Sequence, residues 1–481
     1  MPSTSPTDRI LKLEQPFSSY LNLARVWANQ ANMATAGKFD PNNPAGIGQH
    51  IEAESSHPNI EMHSMKYSMF ATMSIAMLAL ICGTTSRAAG SAKATLDQSG
   101  IIPQPCASDQ WVKQGIVLRG EGLGWGPGEH GIQNFNSPAE PLGDGRWRIW
   151  YGHWLPTPNF GVAEGIPGGQ MTKYEAVLTE GEPANAPLAI GNLPDGWRPI
   201  QPVHLKLKNG RDRLYFWVHS RTQRIGRYLA AESIDGRRYR VINAHRPCLF
   251  HFNDRAVESA GTTPTGLKLV GKSEELKKRF PRPDAEPPAS PELVSNDGVT
   301  VYQLTDGSFE MYVNSLVSLE KDDSRLESQQ NDNLKGYRRA VDRMISEDGL
   351  NWHSRRRVIE PDENDPLDLQ FYYLSVTYTP QGRVGMLGHY RLYSQETDLE
   401  WCYSKDGINW IRTSRREPWL QRGKPYEGDS YAIYQPASIV YYDSKWWLFY
   451  TGTNYSHNGK CSYGKPQSVL MFAQTKSIWR K

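Results

Sequence analysis

Ser404-Lys405-Asp406-Gly407-Ile408-Asn409-Trp410 has a near copy at Ser346-Glu347-Asp348-Gly349-Leu350-Asn351-Trp352 and a weaker one at Ser233-Ile234-Asp235-Gly236-Arg237-Arg238-Tyr239. A motif that returns in this way marks one supersecondary unit being reused. Asp-Gly supplies the positive φ that a tight turn needs, and the aromatic residue three positions after the glycine packs back onto the strand just left. Turns of this kind are scaffold rather than chemistry, and their use is to fix the fold.

The rest of the chain from about residue 110 fits that rhythm: short β runs broken by Gly, Asp and Asn, with almost no helical periodicity. The first unit runs from Asn136-Ser137-Pro138 across the Asp144-Gly145 turn into an aromatic strand ending near Gly152. A second opens at Gln201-Pro202-Val203-His204, crosses Asn209-Gly210 and closes with the Ser233 turn. The third opens at Ser295-Asn296-Asp297-Gly298, the fourth at Asp368-Leu369-Gln370-Phe371-Tyr372-Tyr373, and the fifth at Tyr434-Gln435-Pro436-Ala437. Five such units predict an all-β fold, a five-bladed β-propeller with four-stranded antiparallel blades. The run 112–118 is expected to close the ring by joining the last blade. Residues 258–295, rich in Lys, Glu, Pro and Arg, read as a surface insertion, and the charged stretch 320–332 as a loop.

Before the repeats stands a targeting signal. Met65-Lys66-Tyr67 is a short basic start, 69–82 is apolar, and 86–94 is rich in small residues. That order reads as a signal peptide over 65–94, the apolar run being shorter than the ~20 residues a spanning helix needs. Residues 1–64 then read as an upstream extension, disordered or absent in the mature protein, with 95–481 as the exported propeller. The expected location is secreted or periplasmic, with no membrane attachment after cleavage. Cys106, Cys248, Cys402 and Cys461 remain, and four thiols permit three pairings, none favoured by spacing. A net charge of +3 without a Lys/Arg block argues against nucleic acid as partner. The 15 Trp and 24 Tyr suit a carbohydrate partner, whose rings stack on aromatic faces while polar neighbours read the hydroxyls. Nothing in the sequence fixes the oligomeric state.

Two features carry a family resemblance. Pro138 is followed six residues later by Asp144-Gly145, and 446–452 reads Trp-Trp-Leu-Phe-Tyr-Thr-Gly. In these respects residues 110–478 resemble the five-bladed propeller glycoside hydrolases of families 32, 43 and 117, in which a blade begins with Asp-Pro. The resemblance implies a site on the central axis, lined by the first strand of each blade, and a pair of carboxyl groups for acid and base or nucleophile. It implies no organic cofactor. Some related propellers hold a structural Ca²⁺ on the axis, though no ligand spacing here demands one.

The expected catalytic residues are Asp297 and Asp368 at strand openings, Glu427 and Asp429 as an acidic pair entering the fifth unit, and His457. The resemblance to family 117 implies a histidine acid, a role that near-neutral titration suits. Asn136, Glu140, His204, His219, Gln370, Tyr372, His389, Arg391 and Gln435 are the expected substrate contacts, Arg391 as a fork for a sulfate or carboxylate. One departure stands against catalysis: the residue before Pro138, where the family places an aspartate, is Ser137. A non-catalytic glycan-binding propeller and a protein-interaction propeller therefore stay open beside the hydrolase.

Overall fold

The computed structural model describes residues 102–119, 132, 137–154, 157–251, 254–255, 293–319, 322–332, 334–434, 436–459 and 461–480. The extension 1–64, the signal segment 65–94, most of the insertion 258–295, Asn136 and Gln435 lie outside the described residues, as do the side chains of Asn296 and Asp297. After β1 (Val112–Leu118) comes a meander of β2 (Glu140–Gly143), β3 (Arg146–His153), β4 (Asn159–Gly165) and β5 (Met171–Glu175). The next sheet holds β6 (Val177–Leu178), β7 (Ala189–Gly191), β8 (Arg198–Lys206), β9 (Asp212–Ser220), β10 (Ile225–Ser233), β11 (Arg238–Val241) and β12 (Leu249–Phe250). A third comprises β13 (Leu293–Gln303), β14 (Phe309–Ser318), β15 (Tyr337–Ser346) and β16 (His353–Ile359). The largest combines β17 (Leu369–Thr379), β18 (Gly382–Arg391), β19 (Thr397–Ser404), β20 (Trp410–Arg412) and β21 (Pro418–Leu420) with β22 (Ala432–Tyr434), β23 (Val440–Tyr442), β24 (Lys445–Thr453), β25 (Ser468–Thr475) and β1.

The fold is all-β and propeller-like, with differences from the expected blades. The described strands form four sheets, because Thr397 of β19 bridges Ala432 of β22 and joins two successive meanders into ten strands. The second sheet has seven strands rather than four. Residues 293–295, read as the end of the insertion, are already β13. Within 320–332 lies a 3₁₀ segment, Ser324–Asn331, whose N-cap Asp323 accepts the Arg325 amide.

First strands of successive meanders meet one another. Ser137 Oγ accepts the His204 amide (3.1 Å), Thr300 Oγ1 donates to the Leu374 carbonyl (2.9 Å), and Ser375 Oγ donates to the Pro436 carbonyl (2.6 Å). Ile200 and Val203 of β8 share a core with Val294 and Val299 of β13. The first and last meanders close on Trp147, whose indole lies 4.8–5.4 Å from the rings of Tyr442, Trp447 and Phe449. Residues 104–118 complete the closure, as the sequence predicts for 112–118: β1 pairs with β25, and the Trp419 indole donates to the Cys106 carbonyl (3.1 Å).

The repeated turns follow one chemistry. In each, the serine hydroxyl accepts the glycine amide: Ser233 to Gly236 (3.0 Å), Ser346 to Gly349 (2.9 Å), Ser404 to Gly407 (2.8 Å). The aspartate then accepts the next two amides, as Asp406 does from Ile408 and Asn409 at 2.8 Å. Burial alone would raise the Asp348 and Asp406 carboxyls, but these backbone donors hold both at about 2. Two of the positive-φ glycines also dock their meander on the one before. Tyr215 of β9 donates to the Gly349 carbonyl (2.9 Å), and Tyr312 of β14 to the Gly407 carbonyl (3.4 Å). One end of the fold is thereby filled with turns and their docking tyrosines, which leaves the other end for chemistry.

Candidate functional site

At the end opposite the turns, first strands are irregular. Between β8 and β9 the pairing passes from Ile200/Trp217 to Val203/Tyr215, leaving Gln201 and Pro202 unpaired. Between β13 and β14 it passes from Val294/Ser315 to Val299/Val313, a bulge that contains Asp297. On β17 only Tyr372 is extra. In the last meander 435–439 separates β22 from β23, both of which pair with β24. A bulge takes a side chain out of the strand's strict alternation and re-aims it. Gln201, Asp297 and Tyr372 thus occupy corresponding places on the first strands of three successive meanders.

Tyr372 is re-aimed at His457. Its hydroxyl bonds His457 Nε2 (3.1 Å), the Tyr434 hydroxyl bonds His457 Nδ1 (2.9 Å), and the Tyr390 ring packs against the imidazole with centroids 4.8 Å apart. Beneath them Arg339, fully buried, faces the rings of both Tyr372 and Tyr390 at 5.3 Å, a cation–π arrangement strengthened by burial. Asp332 holds that guanidinium from one side (2.9 Å) and Gln370 Oε1 from another (2.6 Å). Burial pushes the Tyr434 phenol well above its ordinary value, so it keeps its proton. Three meanders converge here. Asn331 offers its carbonyl to Asn458 (2.5 Å) and Gln395 (2.6 Å), while the His457 amide donates to the Gln395 carbonyl (3.1 Å).

The structure therefore brings together three expected residues, Gln370, Tyr372 and His457. Asp368 borders them: Oδ2 accepts the Tyr393 amide (3.3 Å), and the Tyr393 carbonyl accepts from Asn331 (3.4 Å). His219, at the same end of β9, lies beside Trp154 and His251, and burial lowers its pKa to about 4.

The remaining residues are engaged elsewhere. Glu140 and His204 meet between the first two meanders, with His204 Nδ1 2.5 Å from Glu140, Nε2 3.0 Å from Asp212, and the ring stacked on Trp150. His389 is buried with Nε2 2.6 Å from Glu400, and Arg391 is spent on Asp398 (2.7 Å). Glu427 is exposed and accepts the Lys424 amide (2.9 Å). Asp429 is fully buried against Lys113 of β1 (2.5 Å) and the Tyr450 hydroxyl (2.9 Å), where it clasps the N-terminal strand to the last meander. The two acids read as one pair do lie side by side, Glu427 Oε2 and Asp429 Oδ1 both against Gly423, while Asp429 is committed to Lys113 and Tyr450.

Sequence reasoning missed Gln201. It is 7% exposed, its backbone sits at φ 56°, and its Oε1 has no hydrogen-bond partner among the described residues. Such a strained, unsatisfied polar group is what a ligand-binding position retains. In the sequence the dipeptide Gln201-Pro202 recurs as Gln435-Pro436, but nothing in it announces the φ of 56°. Arg339 and Asp332 were also missed, having no local motif. No group of three or more His, Cys, Asp or Glu among the described residues is placed to hold a metal. The four cysteines are free thiols, three of them buried.

No protein-family model matches the chain, and no curated protein sequence does. Solved structures similar to it include an N-acetylgalactosamine deacetylase from F. plautii, at 15% identity and TM-score 0.46, covering 76% of this chain and 95% of that one. A structure from the family 130 mannoside phosphorylases and hydrolases follows at 15% identity and TM-score 0.40, covering 75% and 93%. The family 32 β-fructofuranosidase of Bombyx mori has 10% identity and TM-score 0.37, covering 71% and 61%. At these values the likenesses add nothing to what the strand pairing itself establishes.

Proposed function

We propose that the protein is an exported glycoside hydrolase acting at the end away from the repeated Asp-Gly turns, with His457 as general acid. The observation that carries this reading is an imidazole held through both nitrogens by tyrosine hydroxyls, partly exposed, where three meanders meet. Neutral imidazole donates to one hydroxyl oxygen and accepts from the other, while imidazolium donates to both, so the same partners support either state. A glycosidic oxygen entering beside Nε2 displaces the longer bond, the one to Tyr372, and receives the proton as its C–O bond breaks. The second carboxyl function falls to Asp368 at the border or to Asp297 on the β13 bulge, activating water or attacking the anomeric carbon. Gln201 offers its amide to a sugar hydroxyl, and Tyr372 its hydroxyl once the bond to His457 is displaced.

The test is reducing-sugar release from a panel of plant and marine polysaccharides by the wild type, His457→Gln, Asp368→Asn and Asp297→Asn. Loss of about 10²-fold or more in kcat for His457→Gln and for one aspartate variant is expected. Full turnover by His457→Gln would remove the assigned acid. One observation favours a second reading: Ser137, in place of the family aspartate, is buried and spends its hydroxyl on the His204 amide. Saccharide binding without turnover by the wild type would select that reading, a glycan-binding propeller.

A further inference from the structure

The loop 454–467 that carries His457 also builds a second concavity. A pocket of about 310 Å³ lies beyond it, over the outer strands of the last meander, lined by Tyr426, Tyr463, Arg119, Lys465 and Asn454 among others. Asn454 is 1% exposed and uses its whole side chain to fix the wall. Its Nδ2 donates to the carbonyls of Tyr463 (2.7 Å) and Lys465 (2.9 Å), and its Oδ1 accepts the Gln467 amide (2.7 Å). The opposite wall is Tyr426, 73% exposed and held at φ 77°, a costly backbone state for a bulky residue. Gly464 makes room for it, since a Cβ there would stand 3.2 Å from the Tyr426 ring. The two tyrosine rings are 6.3 Å apart at 61°.

Two cations border these rings. Arg119 donates to the Gln467 amide oxygen (3.2 Å), and among the described residues neither Arg119 nor Lys465 lies within ion-pair distance of a carboxylate. Most other arginines in the fold are tied to acids, Arg339 to Asp332 and Arg412 to Asp365 among them. An exposed aromatic held in a strained conformation, a second aromatic pinned by a buried amide, and two cations without a carboxylate partner among the described residues are a matched set for a sugar that carries an anion. The geometry points to a subsite for an acidic sugar residue, a uronate or a sulfated sugar, whose ring stacks on Tyr426 and Tyr463 while Arg119 and Lys465 take the charge. This subsite rests on the carbohydrate reading, and its position on the His457 loop makes it a place for a further residue of the same polymer.

Isothermal titration of the full-length protein with an oligogalacturonate, a sulfated galactan oligosaccharide and a neutral galactan oligosaccharide of equal length tests this. The anionic ligands are expected to bind more tightly than the neutral one, the better of them naming the anion. Arg119→Ala/Lys465→Ala should weaken anionic binding about tenfold or more without changing Tm, as expected for losing charge-assisted bonds. Tyr426→Ala should weaken it as well, and both losses should persist in a His457→Gln background. Unchanged affinity in the double variant, or a neutral ligand bound as tightly as the charged ones, overturns the subsite and leaves the His457 reading standing. Absence of both binding and turnover with every saccharide overturns the two together.

Discussion

His204 illustrates how one residue type can serve structure where its chemistry suggests function. Burial alone would lower its pKa, but hydrogen bonds and charges from Asp212 and Glu140 more than offset that and raise it above the ordinary 6.5. Its contribution to stability is therefore complete below pH 6.5 and is lost as pH rises through the higher folded value. For Glu140 and Asp212 burial would raise the pKa, but His204, with Arg148 on one and Lys206 on the other, lowers both, so their contributions vanish only in acid, below 4.5 and 3.8. Thermal unfolding across pH should show wild-type Tm falling above pH 6.5 by more than that of His204→Gln; parallel curves would refute the buried imidazolium. The turn glycines make a second residue-scale case. A Cβ at Gly349 (φ 71°) would meet the Tyr215 hydroxyl at 2.5 Å, whereas at Gly210 (φ 83°) it meets nothing within 4 Å. Urea unfolding should give about 1 kcal/mol for Gly210→Ala, from backbone strain alone, and about 2–3 kcal/mol for Gly349→Ala. Equal losses would mean that the tyrosine dock carries no weight.

At the scale of elements, the repeated turns, the strand openings and the closing role of β1 were legible because they depend on local chemistry: Asp-Gly turns, alternating runs, a serine two residues before each aspartate. Side-chain destinations were less so. His389 and Arg391 on β18 read alike whether a strand faces solvent or the acids Glu400 and Asp398 on β19, and only pairing decides. Asp429 finds Lys113 across 316 residues, a separation no local pattern encodes. That pair makes a prediction for its element. Asp429→Asn leaves the buried end of an ion pair without its charge and should cost about 3 kcal/mol in denaturant unfolding while sparing activity per folded molecule. Loss of activity at unchanged stability would return Asp429 to the catalytic set.

Over the whole molecule, the two ends of the meanders are chemically unlike. One is saturated by turns whose glycine carbonyls take tyrosine hydroxyls from the preceding meander. At the other, bulges break the first strands, a buried arginine backs two tyrosines, and Gln201 keeps an oxygen with no hydrogen-bond partner among the described residues. The sequence marked this end indirectly, through the turns at the opposite one, and Tyr372, Gln370 and His457 were legible as polar or aromatic residues at openings and loops. Gln201 was hidden because its importance lies in a φ of 56°, which a strand-like sequence does not announce. Binding of ligands at the bulged end beside His457, as proposed, is open to direct test by a crystal structure of His457→Gln with an oligosaccharide from the substrate panel. A sugar residue contacting Tyr372 and the Gln201 amide is expected; sugar bound only at the end of the repeated turns, with the bulged end empty, would refute this site.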